Sequence, residues 1–248
     1  MNSTYFTRRT IRKYESRDVE ESLLERILTA GTRASTTGNM QVYSVIVTRD
    51  DEMKKRLAPA HFNQPMVTEA PVVLTFCADF NRFNLWCRQR DADPGYDNFL
   101  SFMTAAIDAL IVAQTVCSAA EEEGLGICYI GTATYNADRI IEVLELPKGV
   151  VPVATVTLGW PAVIPDQPDR LPLDAVVHHE KYCDFTPDII DELYREKEAR
   201  PDSLRFIAEN GKKTLAQVFT DVRYKKADNE YFSSKFLEVI RKQGFVTL

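Results

Sequence analysis

The chain has 248 residues, of which 45% are hydrophobic and 27% are charged, a balance typical of a folded globular protein. It carries 30 basic against 36 acidic residues, and the net charge of −6 argues against a nucleic-acid surface extending over the protein. The N-terminus lacks an apolar core of the kind found in secretory signals. The five cysteines form no CxxC pair, and none of the three histidines has zinc-ligand spacing from them. We therefore predict reduced thiols, a cytoplasmic location and no metal site.

Helices and strands alternate in the first part of the chain. Residues 20–34 repeat leucine and isoleucine near the helical period, and a small polar loop, 35–39, follows them. The β-branched run at 41–48 predicts a strand, and residues 51–58 predict a short helix. The continuous apolar run at 71–79 is typical of a strand buried on both faces.

Residues 98–120 form the most apolar stretch and are long enough to span a membrane. Asp108 lies near the middle of this stretch. An acidic side chain at the centre of a bilayer costs roughly 2.5–3.5 kcal/mol, so we expect no membrane span. A helix that is apolar all round instead predicts the centre of a core or a subunit interface.

The second part of the chain begins with Gly124 and Gly126, which should end the apolar helix. Further along, the patterns predict a strand or extended loop at 127–130, a strand at 150–158, and helices at 136–146, 187–198 and 231–242. Interleaved helices and strands of this kind indicate a mixed α/β layer architecture.

The segment Arg8 to Tyr14 concentrates cations in an acidic protein. In an extended backbone Arg8, Thr10 and Arg12 would point the same way, and two guanidinium groups beside a hydroxyl suit a compact dianion such as a phosphate monoester. A solvated basic stretch near a chain end is the alternative, and these residues alone favour it.

Other polar segments are scattered along a chain that has no P-loop, no GxSxG and no HExxH motif. They are residues 35–41, Gln64, residues 129–132 and Arg170. Taken singly, each has an ordinary structural explanation, such as a helix cap, a surface amide or a weak surface ion pair.

The order and spacing of seven motifs indicate a protein family. They are RRTIRKY (8–14), STTGNMQ (35–41), FCADFNR (76–82), GLGICYIG (124–131), LGWPAVIPDQPDRLP (158–172), VVHHEKY (176–182) and IRKQGF (240–245). With these motifs the chain resembles the FMN-binding nitroreductase and flavin reductase family, in particular its longer, NADPH-preferring, oxygen-insensitive branch. The resemblance implies an α+β fold with a central, mainly antiparallel sheet flanked by helices, in an intertwined homodimer. It also implies an FMN-binding core at 1–200 and an extension at 201–248 that wraps the partner.

The resemblance implies a role for each polar segment. Residues of three groups would bind FMN: Arg8, Thr10 and Arg170 at the phosphate, Arg12 and Gln64 at the pyrimidine edge, and Tyr129, Ile130, Gly131 and Thr132 along the ring. Ser35, Thr36, Thr37 and Met40 match a segment that contacts FMN from the second subunit. Catalysis would need no protein acid–base pair, because the flavin N5 carries the chemistry.

Two positions depart from the family pattern. Pro168 stands where a lysine is usual, so the phosphate site loses a cation that Arg9 or Lys13 would have to replace. Thr10 stands in place of a serine, which keeps the hydroxyl and stiffens the side chain.

The implied reaction is ping-pong hydride transfer from NADPH or NADH through FMN to nitroaromatics, quinones or free flavin. Lys212 and Lys213, beside Gly211, are the best candidates to meet the 2′-phosphate of NADPH. One alternative is a flavin-storage protein of the same fold without enzymatic activity. Another, a phosphate- or nucleic-acid-binding module built on the basic segment, is disfavoured by the net charge.

Overall fold

The computed structural model describes residues 4–245 of the chain. Its strands are β1 (Tyr43–Thr48), β2 (Val72–Asp79), β3 (Gly126–Ile130) and β4 (Val150–Gly159). Its helices are α1 (Thr4–Thr7), α2 (Glu21–Gly31), α3 (Asp51–Leu57), α4 (Pro65–Glu69), α5 (Asn81–Arg88), α6 (Phe99–Glu122), α7 (Ala137–Val143), α8 (Pro187–Ala199), α9 (Pro201–Glu209), α10 (Leu215–Val218) and α11 (Lys226–Lys242). Tighter helical turns lie at Thr37–Asn39, Ala58–His61 and Leu173–Ala175, and a π turn at Phe219–Arg223.

The four strands form one antiparallel sheet in the order β1-β2-β4-β3. Every residue of β2 is buried, as the continuous apolar run predicted. Leu74 and Phe76 pack with α2 and α6, while Cys128 and Ile130 of β3 pack with α3, α4 and α7. Helices therefore cover both faces of the sheet, and the predicted mixed α/β fold with an antiparallel sheet is confirmed.

Helix α6 is the central helix of the core. Its most apolar window has a mean hydropathy of 1.7, which meets the length and composition of a membrane span, and half of that window is buried inside the protein. One side of α6 packs on α2 and β2 through small residues such as Ala109 and Ala113. The buried Asp108 receives several hydrogen bonds from the 35–41 segment, so its carboxylate is satisfied within the protein.

The chain divides into two compact units. The first comprises the residues up to Asp166 together with those from Phe232 onward, and the second is Gln167–Tyr231. The second unit includes residue 200, after which we predicted a boundary, and the predicted division into a core and an extension stays a prediction. The end of α11 packs with the core of the first unit through Val239 and Ile240. The wrapping of a partner by residues 201–248 stays a prediction.

Several elements differ from the sequence prediction in extent. Helix α2 ends at Gly31, whose backbone approaches α6 so closely that a Cβ would lie 2.3 Å from Val116. Helix α5 was not predicted; it begins where the Asp79 carboxylate accepts a hydrogen bond from the Asn81 backbone N–H at 2.8 Å. Helices α4, α9 and α10 were also missed, and α11 begins at Lys226, five residues before its predicted start.

Candidate functional site

The basic N-terminal segment runs along the edge strand β3. The Ile11 N–H donates to the Ile127 carbonyl at 2.9 Å, and Thr10 forms a parallel bridge with Ile127. Gly126 permits this approach, because a Cβ there would lie 2.5 Å from the Ile11 side chain. The glycine-rich motif at 124–131 therefore allows the cationic 8–12 segment to lie beside β3, although the two are far apart along the chain.

Three arginines surround this edge in different ways. The Arg8 guanidinium pairs with Glu121 of α6, with Nε and Oε2 3.3 Å apart. The Nε of Arg9 is buried and has no hydrogen-bond partner among residues 4–245. Arg12 is exposed beside Cys128, where its charge partly offsets the rise in thiol pKa that burial causes. Arg8 and Arg9 line a cleft of about 200 Å³ together with Gly124 and Gly126.

Glu121 is an acidic group inside this otherwise cationic cleft. Burial raises the pKa of its carboxyl, and the charge of Arg8 lowers it by a smaller amount. Behind it, burial raises the pKa of Cys117 to about 12, so this thiol is neutral at pH 7. Burial raises the pKa of the partly exposed Tyr129 phenol, whose surroundings include Cys117, Arg8 and Glu121.

A second cluster joins the 61–64 and 129–132 segments. The Nδ1 atom of the fully buried His61 lies 3.0 Å from the Thr132 hydroxyl. The Gln64 side-chain amide donates to the His61 carbonyl at 3.2 Å. Apart from its two chain neighbours, no atom of residues 4–245 would lie within 4 Å of a Cβ on the exposed Gly131, which leaves room beside the backbone for a ligand.

The 35–41 loop is fastened to α6 of its own chain. Asp108 accepts hydrogen bonds from the Thr36 hydroxyl and from the Thr37 backbone N–H at 3.0 Å and hydroxyl at 3.1 Å. Asn39 and Gln41 both have positive φ, a conformation that Asn tolerates well and Gln adopts rarely, and the Arg82 side chain donates to the Gln41 carbonyl. Ser35 is exposed and Met40 half-buried, so the loop presents a fixed surface to its surroundings.

Two of the cations that we predicted to bind phosphate groups, Arg170 and Lys212, lie in the second unit. Arg170 is exposed, and its guanidinium donates to the Asp169 carbonyl at 2.8 Å. Lys212 pairs with Asp221 at 3.0 Å, and this contact lowers the pKa of the Asp221 carboxyl. Neither observation tests a role in phosphate binding, and both roles stay predictions.

The structure places predicted residues of the first unit in separate local clusters. The segment that contains Arg8, Arg9, Thr10 and Arg12 runs beside β3, while Gln64 and Thr132 both contact His61. The sequence analysis did not identify His61, Asp108 or Glu121 as site residues. An aspartate in the middle of an apolar helix was a usable signal for a buried anchor, whereas His61 and Glu121 had no distinguishing pattern.

Known proteins resemble this chain over nearly its full length. The family model described as "Nitroreductase family" matches residues 5–160. An FMN reductase [NAD(P)H] of Bacillus subtilis is 34% identical over 242 residues, covering 96% of this chain and 94% of that protein. An oxygen-insensitive NADPH nitroreductase of Salmonella typhimurium is 32% identical over 241 residues, covering 96% and 95%. The crystal structure of a protein from Bacteroides fragilis superposes with a TM-score of 0.97 at 57% identity, covering 98% and 99%.

Proposed function

This chain belongs to the nitroreductase family, and from that premise we propose that it is an FMN-dependent NAD(P)H oxidoreductase. Its relatives named above are an FMN reductase that uses NAD(P)H and an NADPH nitroreductase. We further propose ping-pong turnover with nitroaromatics, quinones or free flavin as acceptors. The five free cysteines agree with the cytoplasmic location that the sequence predicts.

The observation that carries the proposal is the cationic cleft beside β3. A phosphate monoester needs several donors with positive charge, and Arg8, Arg9 and the Thr10 hydroxyl lie together along one short segment. The buried Arg9 Nε has no partner in the described part of the chain, so an anionic ligand oxygen would satisfy a donor that the protein leaves open. The residues present therefore fit an FMN phosphate. Arg9 would supply the positive charge that is missing because Pro168 stands where the family usually has a lysine.

When bound, FMN supplies the redox chemistry, because its ring can take hydride from NAD(P)H and pass it to an acceptor. The protein residues bind and orient the cofactor. Arg12 would place a positive charge near the pyrimidine edge, where it stabilises the extra negative charge of the reduced ring. Gln64 and Thr132 would hold polar edges of the ring, and Gly131 leaves its backbone open to close approach.

A homodimer would complete the site. Helix α6 exposes a row of apolar side chains at near-helical spacing, namely Leu100, Met103, Ile107, Leu110 and Ile111. Rows of this kind on a folded protein mark contact surfaces. We propose that a second copy covers this row and that its 35–41 loop, held by Asp108, reaches the FMN of the first copy.

The experiment begins with the colour and flavin content of the purified protein. We expect FMN to bind at about one per chain, and NADPH or NADH to be oxidised at steady state when a nitrofuran or a quinone is present. A protein that binds FMN but oxidises neither nucleotide would support the storage alternative. A colourless protein that takes up no added FMN, with Arg8 and Arg12 intact, would refute the proposal.

A further inference from the structure

His61 is a buried histidine that contacts two of the predicted FMN-binding residues. Its side chain has no exposed surface, and its Nδ1 atom lies 3.0 Å from the Thr132 hydroxyl. Its backbone carbonyl accepts hydrogen bonds from both the backbone N–H and the side-chain amide of Gln64, each at 3.2 Å. A single residue therefore connects Gln64 with Thr132.

The surrounding fold fixes the position of His61. It ends the helical turn Ala58–His61, and the Ala60 carbonyl accepts from the Asn136 side chain at 3.0 Å. Asn136 is itself buried, and its Oδ1 accepts from Lys235 of α11 at 3.0 Å. These contacts hold the backbone of the 58–61 turn, and the full burial of the imidazole ring restricts its movement away from Thr132.

The protonation of the ring follows from its surroundings. Burial lowers the pKa of His61 to about 4, so the ring is neutral at pH 7 and carries one N–H. Its Nε2 atom is buried and lacks a hydrogen-bond partner within residues 4–245. A proton on Nε2 would be a buried donor without an acceptor, an arrangement that folded proteins rarely tolerate. A proton on Nδ1 instead has the Thr132 oxygen as its acceptor.

We propose that His61 is a positioning residue that donates from Nδ1 to the Thr132 hydroxyl and so directs the Thr132 proton toward bound FMN. The inference rests on the proposed function, because it takes FMN as the ligand beside residues 129–132. A hydroxyl has one proton to donate. When its oxygen accepts from His61, that proton remains available for an electron-rich ring nitrogen or carbonyl oxygen, and Thr132 becomes a donor with a fixed role.

The first test needs no cofactor. The ¹⁵N chemical shifts of the His61 ring in the flavin-free protein distinguish the two neutral tautomers. We expect the proton on Nδ1, and in a Thr132→Val variant we expect the Nδ1 signals to change because the acceptor is gone. A proton on Nε2 in the flavin-free wild-type protein would overturn the inference.

The second test is a double-mutant cycle on the dissociation constant of FMN, measured by flavin fluorescence. Thr132→Val should weaken binding about fivefold, the size of one net hydrogen bond. His61→Phe should also weaken binding in the wild-type background, by about threefold, and should have no further effect when Thr132 is already valine. An equal loss from His61→Phe in both backgrounds would mean that His61 acts by packing alone.

Thr132→Ser is the matched control, because it keeps the hydroxyl and should leave the FMN affinity within about twofold. If His61→Phe does not fold, two other measurements test the inference: the tautomer of His61, and the FMN affinity of Thr132→Ser compared with that of Thr132→Val. Equal weakening by serine and valine would overturn the inference. A wild-type protein that binds no FMN refutes the proposed function, whereas one that binds FMN with its His61 proton on Nε2 refutes this inference alone.

Discussion

Replacing Glu121 by glutamine should tighten FMN binding. The Glu121 carboxylate lies 3.3 Å from the Arg8 guanidinium. It therefore competes with the FMN phosphate for Arg8 in the proposed phosphate site. It would also place a negative charge beside the phosphate dianion. Glutamine keeps the shape and hydrogen-bonding capacity of the side chain and removes the charge, so both effects favour the ligand.

The size of the effect follows from the geometry of the pair. A phosphate that accepts hydrogen bonds from Arg8 would lie roughly 6 Å from the Glu121 carboxylate, where a dianion and a monoanion repel by about 1.4 kcal/mol in a water-like dielectric. Arg8 retains about a quarter of its side-chain exposure, so we use this screened value rather than one for a buried pair. We therefore expect the dissociation constant of FMN to fall about tenfold in the Glu121→Gln variant.

The assay is flavin fluorescence titration of the flavin-free protein between pH 5 and 8. Because burial raises the pKa of Glu121, lowering the pH protonates it and removes the same charge as the substitution. The ratio of variant to wild-type affinity should therefore be largest at pH 8 and shrink as the pH falls. The ratio removes the effect of pH that both proteins share, and protonation of the phosphate, whose second pKa is about 6, should lower the ratio further because a monoanion is repelled less by Glu121.

Glu122→Gln is the matched control, because it removes one charge from the next, exposed position of α6. It should change the affinity by much less than tenfold. Equal tightening by both variants would show a general effect of net charge. Unchanged or weaker binding in Glu121→Gln would refute the assignment of Arg8 to the phosphate.

Three further predictions concern the loop, the dimer and the nucleotide. Asp108→Asn should lower the free energy of unfolding by about 2 kcal/mol in urea titrations and should reduce the flavin content. The reason is that the amide cannot accept all the hydrogen bonds of the 35–41 loop. Unchanged stability would contradict the role of Asp108 in holding this loop. Ile107→Glu should yield monomers without FMN in analytical ultracentrifugation, since it buries a charge in the proposed interface, and a flavin-loaded monomer would contradict the shared site. Lys213→Ala should raise the KM for NADPH but not for NADH, and by more than Lys212→Ala, because Lys212 already pairs with Asp221; equal effects on both nucleotides would exclude this segment from 2′-phosphate binding.

Local patterns were sufficient for most of the regular structure. The strands at 43–48, 72–79 and 150–159 lie where β-branched or continuous apolar runs predicted them, because burial on a sheet favours those side chains. The short helices α4, α5, α9 and α10 were missed. Helices α4 and α10 have only five and four residues, too few to show a helical period. Helices α5 and α9 have an apolar face, but at eight and nine residues they are shorter than the stretch over which a helical period is read with safety.

The sequence by itself determined the family and the fold class, because motifs such as FCADFNR and GLGICYIG keep their order and spacing along the chain. Only the tertiary structure decided which groups share a site. It paired Arg8 with Glu121, 113 residues away. It paired Thr36 and Thr37 with Asp108, 72 and 71 residues away, and His61 with Thr132, 71 residues away. Hydrogen bonds and charge interactions act over a few ångströms of space. The separation of two residues along the chain does not predict such a contact, because the sheet and α6 determine which segments lie together.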